Sequence, residues 1–488
     1  MGDIYSGASM VQAYLGIFPS SEMPSAAMSK AIMRHNIWSR SWIIQELVRS
    51  RDYMLLIGPE HEIGGHAFRE DVWTEVRILE LAGTYGNQAA NNVSSMVSYW
   101  YQLVRFGRLP HILGLLEAIR SRDCTDGRHS LFSKLGVARN ASSHVPSPSY
   151  ELEAGAIFTD FVRSYFTNTG SLYIVCLSGP TNISLPSWVP DWPRPTGRQP
   201  LLLGFGQSNK ASMTELENII TSSARWELAV TFPADHVELS MLGWVVDDIG
   251  DYADHVDATN PLLNAFNLFW GLDYFAILLS TLTGAQKNAD GDGYLIPPGE
   301  YEELAHVMAH VDGDRASRHG CEDAWILEHS EAVVCGKSMP ALAREYLVIR
   351  GKRHRTSSGL KRSTNILINK MSAGRKLAGT KRGWPVLVPT NAVGRDLICV
   401  LWYCPVPVVL RKVHDHYIPV GECYHYEHMS QFCHNRTVSN RDDSNSSDED
   451  KLLPVLPPSS VQPMCWENLY PEGRPYSREQ PDTLFNIR

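Results

Sequence analysis

The sequence lacks the features that would place the protein outside the cell or within a membrane. Its nine cysteines are odd in number and scattered over 488 residues, which excludes the dense disulfide framework of a small secreted protein. The start of the chain has no basic segment followed by an apolar stretch and a cleavage site, so we expect no secretory signal. The longest apolar stretch, 262–282, is interrupted by asparagine, glycine and aspartate, which argues against a membrane span. We therefore predict a cytoplasmic protein.

The sequence also lacks an excess of positive charge. It has 44 lysines and arginines against 53 aspartates and glutamates, for a formal net charge of −9. Binding to nucleic acid depends on clustered cations that neutralise phosphates, so we predict that nucleic acid is not a partner. One basic run, 350–362, is interspersed with serine and glycine and is typical of a solvated loop; a nuclear import signal or an anion-binding patch is the alternative.

Common catalytic and metal-binding motifs are missing as well. The sequence has no Walker A, nucleophile-elbow or HExxH pattern. The segment 288–299 matches the first half of a calcium-binding EF-hand loop, but its twelfth position is Gly299 where a glutamate is needed. The cysteines and histidines of 423–434 have a spacing that fits no common zinc module. We predict no metal site and no bound cofactor.

What the sequence does contain is an unusual ten-residue stretch, WSRSWIIQEL. On a single helix, five residues from this stretch and just after it would share one face, because they are spaced at i, i+4, i+7, i+8 and i+11. They are Trp38, Trp42, Gln45, Glu46 and Arg49. A core helix normally keeps acidic groups on the opposite side. A helix with this face, followed by a buried strand at Tyr53–Ile57, would therefore form one side of a candidate pocket at a sheet.

The periodicity of apolar residues divides the chain into four parts. Strands separated by helices in the first part favour parallel pairing and an α/β sheet, whereas short runs at regular spacing near residue 400 are typical of a small barrel or meander. The predicted parts are an α/β unit at 1–85, a mainly helical middle region at 86–380, a small β-rich module at 381–434 and a disordered acidic, proline-rich tail at 435–488.

Two stretches within these parts allow alternatives. The apolar run Tyr173–Leu177 is a candidate strand within the helical region. The stretch LPSWVPDW, residues 185–192, holds two tryptophans on a proline-stiffened backbone. We expect these tryptophans to be buried against the helical middle region; an aromatic anchor for a partner is the alternative.

Several stretches resemble the fungal heterokaryon incompatibility (HET) domain and its associated regions. WSRSWIIQEL is similar to the aromatic, arginine, tryptophan and Gln-Glu pattern near the end of that domain. In the same order as in the family, similar segments are MGDIYSGASMVQAYLG at 1–16, CTDGRHSLFSKLG at 124–136, LPSWVPDW at 185–192 and the β-rich region at 394–429. The resemblance implies a partial, flavodoxin-like and TIR-like α/β remnant at the start of a multidomain α+β protein.

The resemblance also implies a function and a set of site residues. Enzymatic TIR domains cleave nicotinamide from NAD with a glutamate in a W...E context, which Trp42 and Glu46 match. Glu46 would then be the catalytic carboxylate that stabilises a ribosyl cation, and Trp38, Arg40, Trp42 and Gln45 would line or support its pocket. A purely structural role is also open, in which Glu46 caps the helix or pairs with Arg49 or Arg40 and so holds the helix to its neighbours.

The family elements expected upstream, a "Y.wG" strand and a "WIDaiCINQ" strand and loop, are absent from the sequence. We therefore expect an incomplete catalytic site, from a truncated gene model, a fragment or a degenerate paralogue. The predicted function is self/non-self recognition and cell-death signalling. The alternatives are an NAD-cleaving hydrolase and an inactive scaffold that modulates full-length HET proteins. Expected partners are other proteins, such as HET-domain relatives or further copies of this chain.

Overall fold

A computed structural model gives the three-dimensional arrangement of a large part of the chain. It describes residues 2–17, 32, 35–58, 61–65, 67–68, 93, 96–97, 99–100, 103, 109–118, 120, 122–139, 141–145, 147–179, 185–194, 201, 230–232, 238–250, 305–309, 333–334, 337–349, 371–381, 384–401, 403–404, 406–425 and 483–488. The basic run at 350–362 and the EF-hand-like segment at 288–299 lie outside these ranges, as do residues 435–482 of the predicted tail.

The first part of the chain forms a small α/β unit around a three-stranded sheet. Helix α1 (Gly2–Gly7) precedes β1 (Val11–Tyr14), and the sheet has the order β1-β2-β3 with β2 at Tyr53–Ile57 and β3 at His61–Gly64. Strands β1 and β2 pair in parallel, which confirms the parallel pairing predicted for strands separated by helices. Among the described residues, β1 pairs with β2 alone.

The predicted helix over 38–47 is wrong as a single element. The chain forms a short 3₁₀ helix, Asn36–Ser39, and then a separate α-helix, α2 (Ile43–Val48). Between them Arg40 has an extended backbone, with φ −70° and ψ 134°, and it bridges Asp123 in parallel. Pairing with a distant segment therefore overrides the local helical periodicity, and Trp38 does not share a helix face with Trp42.

The part of the predicted middle region at 109–179 forms helices and no strand among its described residues. Its described helices are α3 (Ile112–Ala118), α4 (His129–Phe132), α5 (Ala141–His144), α6 (Ala154–Thr169) and α7 (Tyr173–Cys176). The strand predicted at Tyr173–Leu177 is wrong, because this buried run forms α7. Short apolar runs that are buried on all sides carry no periodicity that separates strand from helix.

A barrel closes in the second half of the chain. Its strands are β5 (Leu239–Asp248), β10 (Leu397–Leu401), β11 (Val408–Val413), β12 (His416–Glu422) and β14 (Thr483–Ile487). They are paired in the circular order β5-β10-β11-β12-β14 and back to β5, and a short strand, β4 (Val230–Thr231), pairs with β5 beside β10. A Cβ atom at Gly243 would lie 2.5 Å from the carbonyl oxygen of Val400, so only glycine fits this approach of β5 to β10.

The barrel corrects the predicted extent of the β-rich module and of the tail. The runs predicted between residues 397 and 426 do form strands, but β5 and β14 join them from outside 381–434. The prediction of disorder is wrong for Thr483–Ile487, because Phe485 and Ile487 are fully buried in the barrel and their strand pairs with β5. Two apolar side chains at alternate positions give this strand a buried face.

A second sheet packs on the outside of the barrel. It has the order β13-β9-β8, with β8 at Arg375–Gly379, β9 at Pro385–Pro389 and β13 at Tyr424–His425. Alternate residues of the barrel strands therefore face two cores. For example, Ile398 packs in a cluster with β9, whereas Cys399 faces the main core. The remaining described elements are the β6–β7 hairpin (Val333–Val334 and Lys337–Ser338) and helix α8 (Met339–Ile349).

The tryptophans of LPSWVPDW are buried, as predicted. Trp188 and Trp192 have 0% and 1% of their surface exposed. The ring of Trp192 packs on Phe161 of α6 with 5.8 Å between centroids, and Trp188 packs on Phe232 at 5.6 Å. The stretch thus joins the helical region to the residues that follow β4. In the ranges that the structure describes, no helix has the length and apolar character needed to cross a membrane.

Candidate functional site

Glu46 lies in the middle of α2, where helix α1 packs against it. The side chain is partly buried, and its carboxylate accepts a hydrogen bond from the hydroxyl of Tyr5 on α1. Burial raises the pKa of Tyr5, and the negative charge of Glu46 and its hydrogen bond raise it further, while Arg40 opposes the shift. Tyr5 therefore stays protonated and holds the carboxylate in a fixed orientation.

Glu46 does not form the ion pair that a purely structural role would give it. Within the described part of the chain, neither Arg40 nor Arg49 forms an ion pair with Glu46, and Arg40 is exposed on the segment that bridges Asp123. The carboxylate thus lies beside the phenol of Tyr5 and near the exposed guanidinium of Arg40. A partly buried carboxylate of this kind is able to stabilise a cation that approaches from the solvent side.

Two of the predicted pocket residues are part of the core. Trp38 has no exposed surface, stacks on Phe68 with 5.3 Å between ring centroids, and donates its indole N–H to the carbonyl of Ile32 at 2.6 Å. Gln45 is 2% exposed, and its amide nitrogen donates to the carbonyl of Phe132 at 3.0 Å. A side chain without exposed surface does not wall a pocket, so Trp38 and Gln45 could support one only from within the core, where Gln45 links α2 to α4.

Trp42, like Arg40, is a predicted pocket residue that does reach the surface. It precedes the first turn of α2, one turn before Glu46, and it is partly exposed. Its ring meets His129 edge to face at 5.2 Å, and His129 in turn contacts Tyr150 at 5.9 Å. Arg128 lies over the ring of Tyr150 at 5.1 Å. The solvent side of α2 is therefore bordered by an aromatic and cationic surface.

The contact between segments 39–45 and 122–134, which we name the seam, is the most polar buried region near Glu46. Backbone hydrogen bonds run both ways across it: Ser41 N donates to Asp123 O at 3.0 Å, and Asp123 N donates to Ser39 O at 2.6 Å. Arg122 donates to the carbonyl of Trp38 at 2.7 Å. The stretches that hold WSRSWIIQEL and CTDGRHSLFSKLG are thus joined directly in the fold.

A buried lysine completes the seam. Lys134 is 2% exposed, and its ammonium donates to the hydroxyls of Ser41 and Ser133, at 2.8 Å for Ser133. Burial lowers the pKa of Lys134 to about 7, the charge of Arg122 lowers it as well, and Cys124 has an opposing effect. In the sequence, a single lysine inside the apolar stretch LFSKLG was the available signal for this group.

The serine and lysine side chains of the seam have a structural arrangement and not that of a hydrolase site. A serine nucleophile needs an adjacent base and access to substrate, and the hydroxyls of Ser41 and Ser133 are 2.8 Å apart beside the amine of Lys134. The exposed fractions of these three side chains are 1%, 0% and 2%. Without access for a substrate, their hydrogen bonds serve to satisfy one another between α2 and α4.

The described residues contain no group of three or more histidine, cysteine or acidic side chains that could hold a metal ion. Of the cysteine and histidine cluster at 423–434, Cys423 and His425 are buried, and the other members lie outside the described ranges. The ring of His425 packs on Trp384 at 5.8 Å. Burial also raises the pKa of the Cys423 thiol well above its usual range.

Comparison of the chain with protein-family models, curated proteins and solved structures finds no match.

Proposed function

We propose that this protein is a heterokaryon-incompatibility-type protein that acts in fungal self/non-self recognition and cell-death signalling. The observation that supports the proposal best is the seam. Two stretches that resemble the HET family, and that lie more than 70 positions apart, pack against each other through the hydrogen bonds of Ser41 with Ser133 and of Gln45 with the carbonyl of Phe132. Resemblance in sequence order alone would not require such contact.

The arrangement around the seam adds support. The parallel pair β1 and β2, with α2 between them in sequence, is the beginning of an α/β unit of the kind that the resemblance implies. The helical region and the barrel share one buried core with the α/β unit, and the barrel has a second core against the β13-β9-β8 sheet. The helical region and the barrel would sense partners, either HET-domain relatives or further copies of the chain, while the α/β unit acts as the effector.

Induced expression of the full chain in a filamentous fungus tests this proposal. We expect hyphal compartments to lose viability, measured by uptake of a vital dye, relative to a strain that carries the empty promoter. Growth with no increase in dye uptake, in strains that make the intact protein at a level verified by immunoblot, would contradict the proposal.

An NAD-cleaving hydrolase is the second candidate, and the pairing of Tyr5 with Glu46 favours it. The carboxylate is partly exposed, oriented by a phenol and adjacent to the partly exposed ring of Trp42. Stabilisation of the positive charge that develops as the bond to nicotinamide breaks would require such a group. NAD would then be a substrate and not a bound cofactor.

Nicotinamide release from NAD by purified protein, followed by chromatography, tests this second candidate. Loss of a group that stabilises a transition state typically lowers the rate by a factor of about 100 or more, so Glu46→Gln should reduce release by roughly that factor. Glu62→Gln, which alters an exposed carboxylate on β3, is the matched control. Equal release by wild type and Glu46→Gln would exclude the hydrolase.

The two experiments together address the third possibility, an inactive scaffold. Loss of viability that is the same with wild type and Glu46→Gln would assign the effect to signalling through contacts with other proteins. If neither chain affects viability or NAD, co-expression with a full-length HET protein is the remaining test, and a scaffold is expected to change that protein's effect on viability.

A further inference from the structure

Two buried thiols from distant parts of the chain are in contact. Cys176 is the last residue of α7 and Cys404 follows β10, and their sulfur atoms are 3.5 Å apart although the residues are 228 positions apart in sequence. Both sulfurs also lie near the carbonyl oxygen of Leu172, at 3.8 and 3.7 Å. All the cysteines that the structure describes are unbridged.

The backbone holds these thiols in place from both sides. Leu172 N donates to the carbonyl of Tyr403 at 3.0 Å, and Cys404 N donates to Leu401 O at 3.1 Å. One turn of α7 away, the hydroxyl of Tyr173 donates to Glu422 on β12 at 3.1 Å. The start of α7 is thus fixed to the barrel next to the thiol pair, so closing the gap between the sulfurs requires little movement of the backbone.

A disulfide needs the two sulfurs to approach from contact distance to about 2.0 Å. The position of each sulfur is set by rotation about the Cα–Cβ bond of its cysteine. A change in this χ1 angle can therefore bring the two sulfurs most of the way together. A disulfide also requires the two backbones to lie close together. The backbone hydrogen bond between Leu172 and Tyr403 already holds the start of α7 against the segment that follows β10.

We propose that Cys176 and Cys404 form a disulfide when the protein meets a peroxide, and that this bond cross-links the helical region to the barrel. Cys404 is the sulfur that reacts with the peroxide first, because it is 8% exposed whereas Cys176 is fully buried. Burial raises the pKa of Cys176 well above its usual range, so it remains a thiol and reacts in the second step.

The two steps balance with hydrogen peroxide as the oxidant. The thiolate of Cys404 attacks one oxygen, the O–O bond breaks, and the products are a sulfenic acid and hydroxide, which takes up the proton that the thiol released. The sulfur of Cys176 then attacks the sulfenic sulfur, the S–O bond breaks, and water leaves with the proton of Cys176. Overall, two thiols and one peroxide give one disulfide and two waters.

The cross-link would raise the stability of the folded chain. A bond between positions 228 apart in sequence restricts the unfolded chain far more than it restricts the folded one, in which the sulfurs are already in contact. Because access to Cys404 is limited, the bond is expected to form under sustained exposure to peroxide and not during brief exposure. This inference does not depend on the proposed signalling or NAD-cleaving function.

Peptide mapping of the full-length protein tests the proposal. The reduced protein is treated with hydrogen peroxide, unfolded, alkylated and digested, and we expect a cross-linked peptide pair that contains residues 176 and 404 and returns to two alkylated peptides after reduction. The temperature of unfolding of the oxidised protein should exceed that of the reduced protein, and this difference should vanish in Cys404→Ser.

Two variants keep the test decisive. In Cys176→Ser the cross-linked pair should be lost, and Cys404 should instead be trapped as a sulfenic acid by dimedone. Cys423→Ser, which alters another buried thiol, should leave the 176–404 pair intact. The proposal is overturned if Cys176 and Cys404 of the peroxide-treated wild type are both alkylated after unfolding, or if Cys404 pairs with a different cysteine.

Discussion

Replacement of Glu422 by glutamine is expected to lower the free energy of unfolding by about 3–5 kcal/mol, the usual cost of leaving one member of a buried ion pair alone. The carboxylate of Glu422 is paired with the guanidinium of Arg375, and their side chains are 2% and 0% exposed. It also accepts hydrogen bonds from the hydroxyl of Tyr173 at 3.1 Å and from the backbone N–H of Leu201 at 2.8 Å. Urea denaturation of the full chain measures the loss.

Three further variants assign this loss to the buried charge. Tyr173→Phe removes one neutral donor and should cost about 1 kcal/mol. The double variant Arg375→Met with Glu422→Leu removes both charges and should be less destabilised than Glu422→Gln alone. Asp248→Asn breaks a solvent-exposed pair with Lys381 on the same barrel and should cost at most about 1 kcal/mol. A loss for Glu422→Gln no larger than for Tyr173→Phe would contradict the assignment.

Pairing between strands that are distant in sequence explains why the extent of the β-rich unit was not predictable from the sequence. Local alternation identified the strands between residues 397 and 426, because alternate side chains of each strand are buried. Closure of the barrel depends instead on β5 and β14, which pair with each other across more than 230 positions. Nothing in a local pattern specifies a partner at such a distance.

The same distinction applies to the candidate site. The sequence nominated Glu46 and Trp42, and both reach the surface of α2. It placed Trp38 on the same helix face, but the paired backbones of the seam break that helix at Arg40. Tyr5 as the partner of Glu46 was missed, since it comes from a different helix and only tertiary packing brings the two together.

The buried amine of Lys134 leads to the second large effect, a pH dependence of stability. Its pKa is about 7 in the folded protein against 10.5 as the reference value. Between these two values the unfolded chain binds more protons than the folded chain, so stability rises with pH. Below about pH 7 the burial cost is present in full, and above about pH 10.5 it is gone. Each pH unit in between changes the free energy by up to about 1.4 kcal/mol.

We therefore expect wild type to gain several kcal/mol relative to Lys134→Met between neutral pH and about pH 10. The variant keeps a side chain of similar length and lacks the titrating amine. Free energies of unfolding from urea titrations at a series of pH values measure the difference. The other ionisable groups that face Lys134 are Arg122 and Cys124, and since a thiol titrates in the same window, both proteins should carry Cys124→Ser.

Lys381→Met is the matched control, because the side chain of Lys381 is 59% exposed in the connection between β8 and β9. Its difference from wild type should change little over the same pH range, because this variant leaves the buried amine of Lys134 in place. If the difference between wild type and Lys134→Met stays constant from pH 7 to about pH 10, Lys134 is protonated in the fold throughout. Its contacts with Ser41 and Ser133 would then have to compensate a buried charge, and the seam would be held by an ammonium instead of a neutral amine.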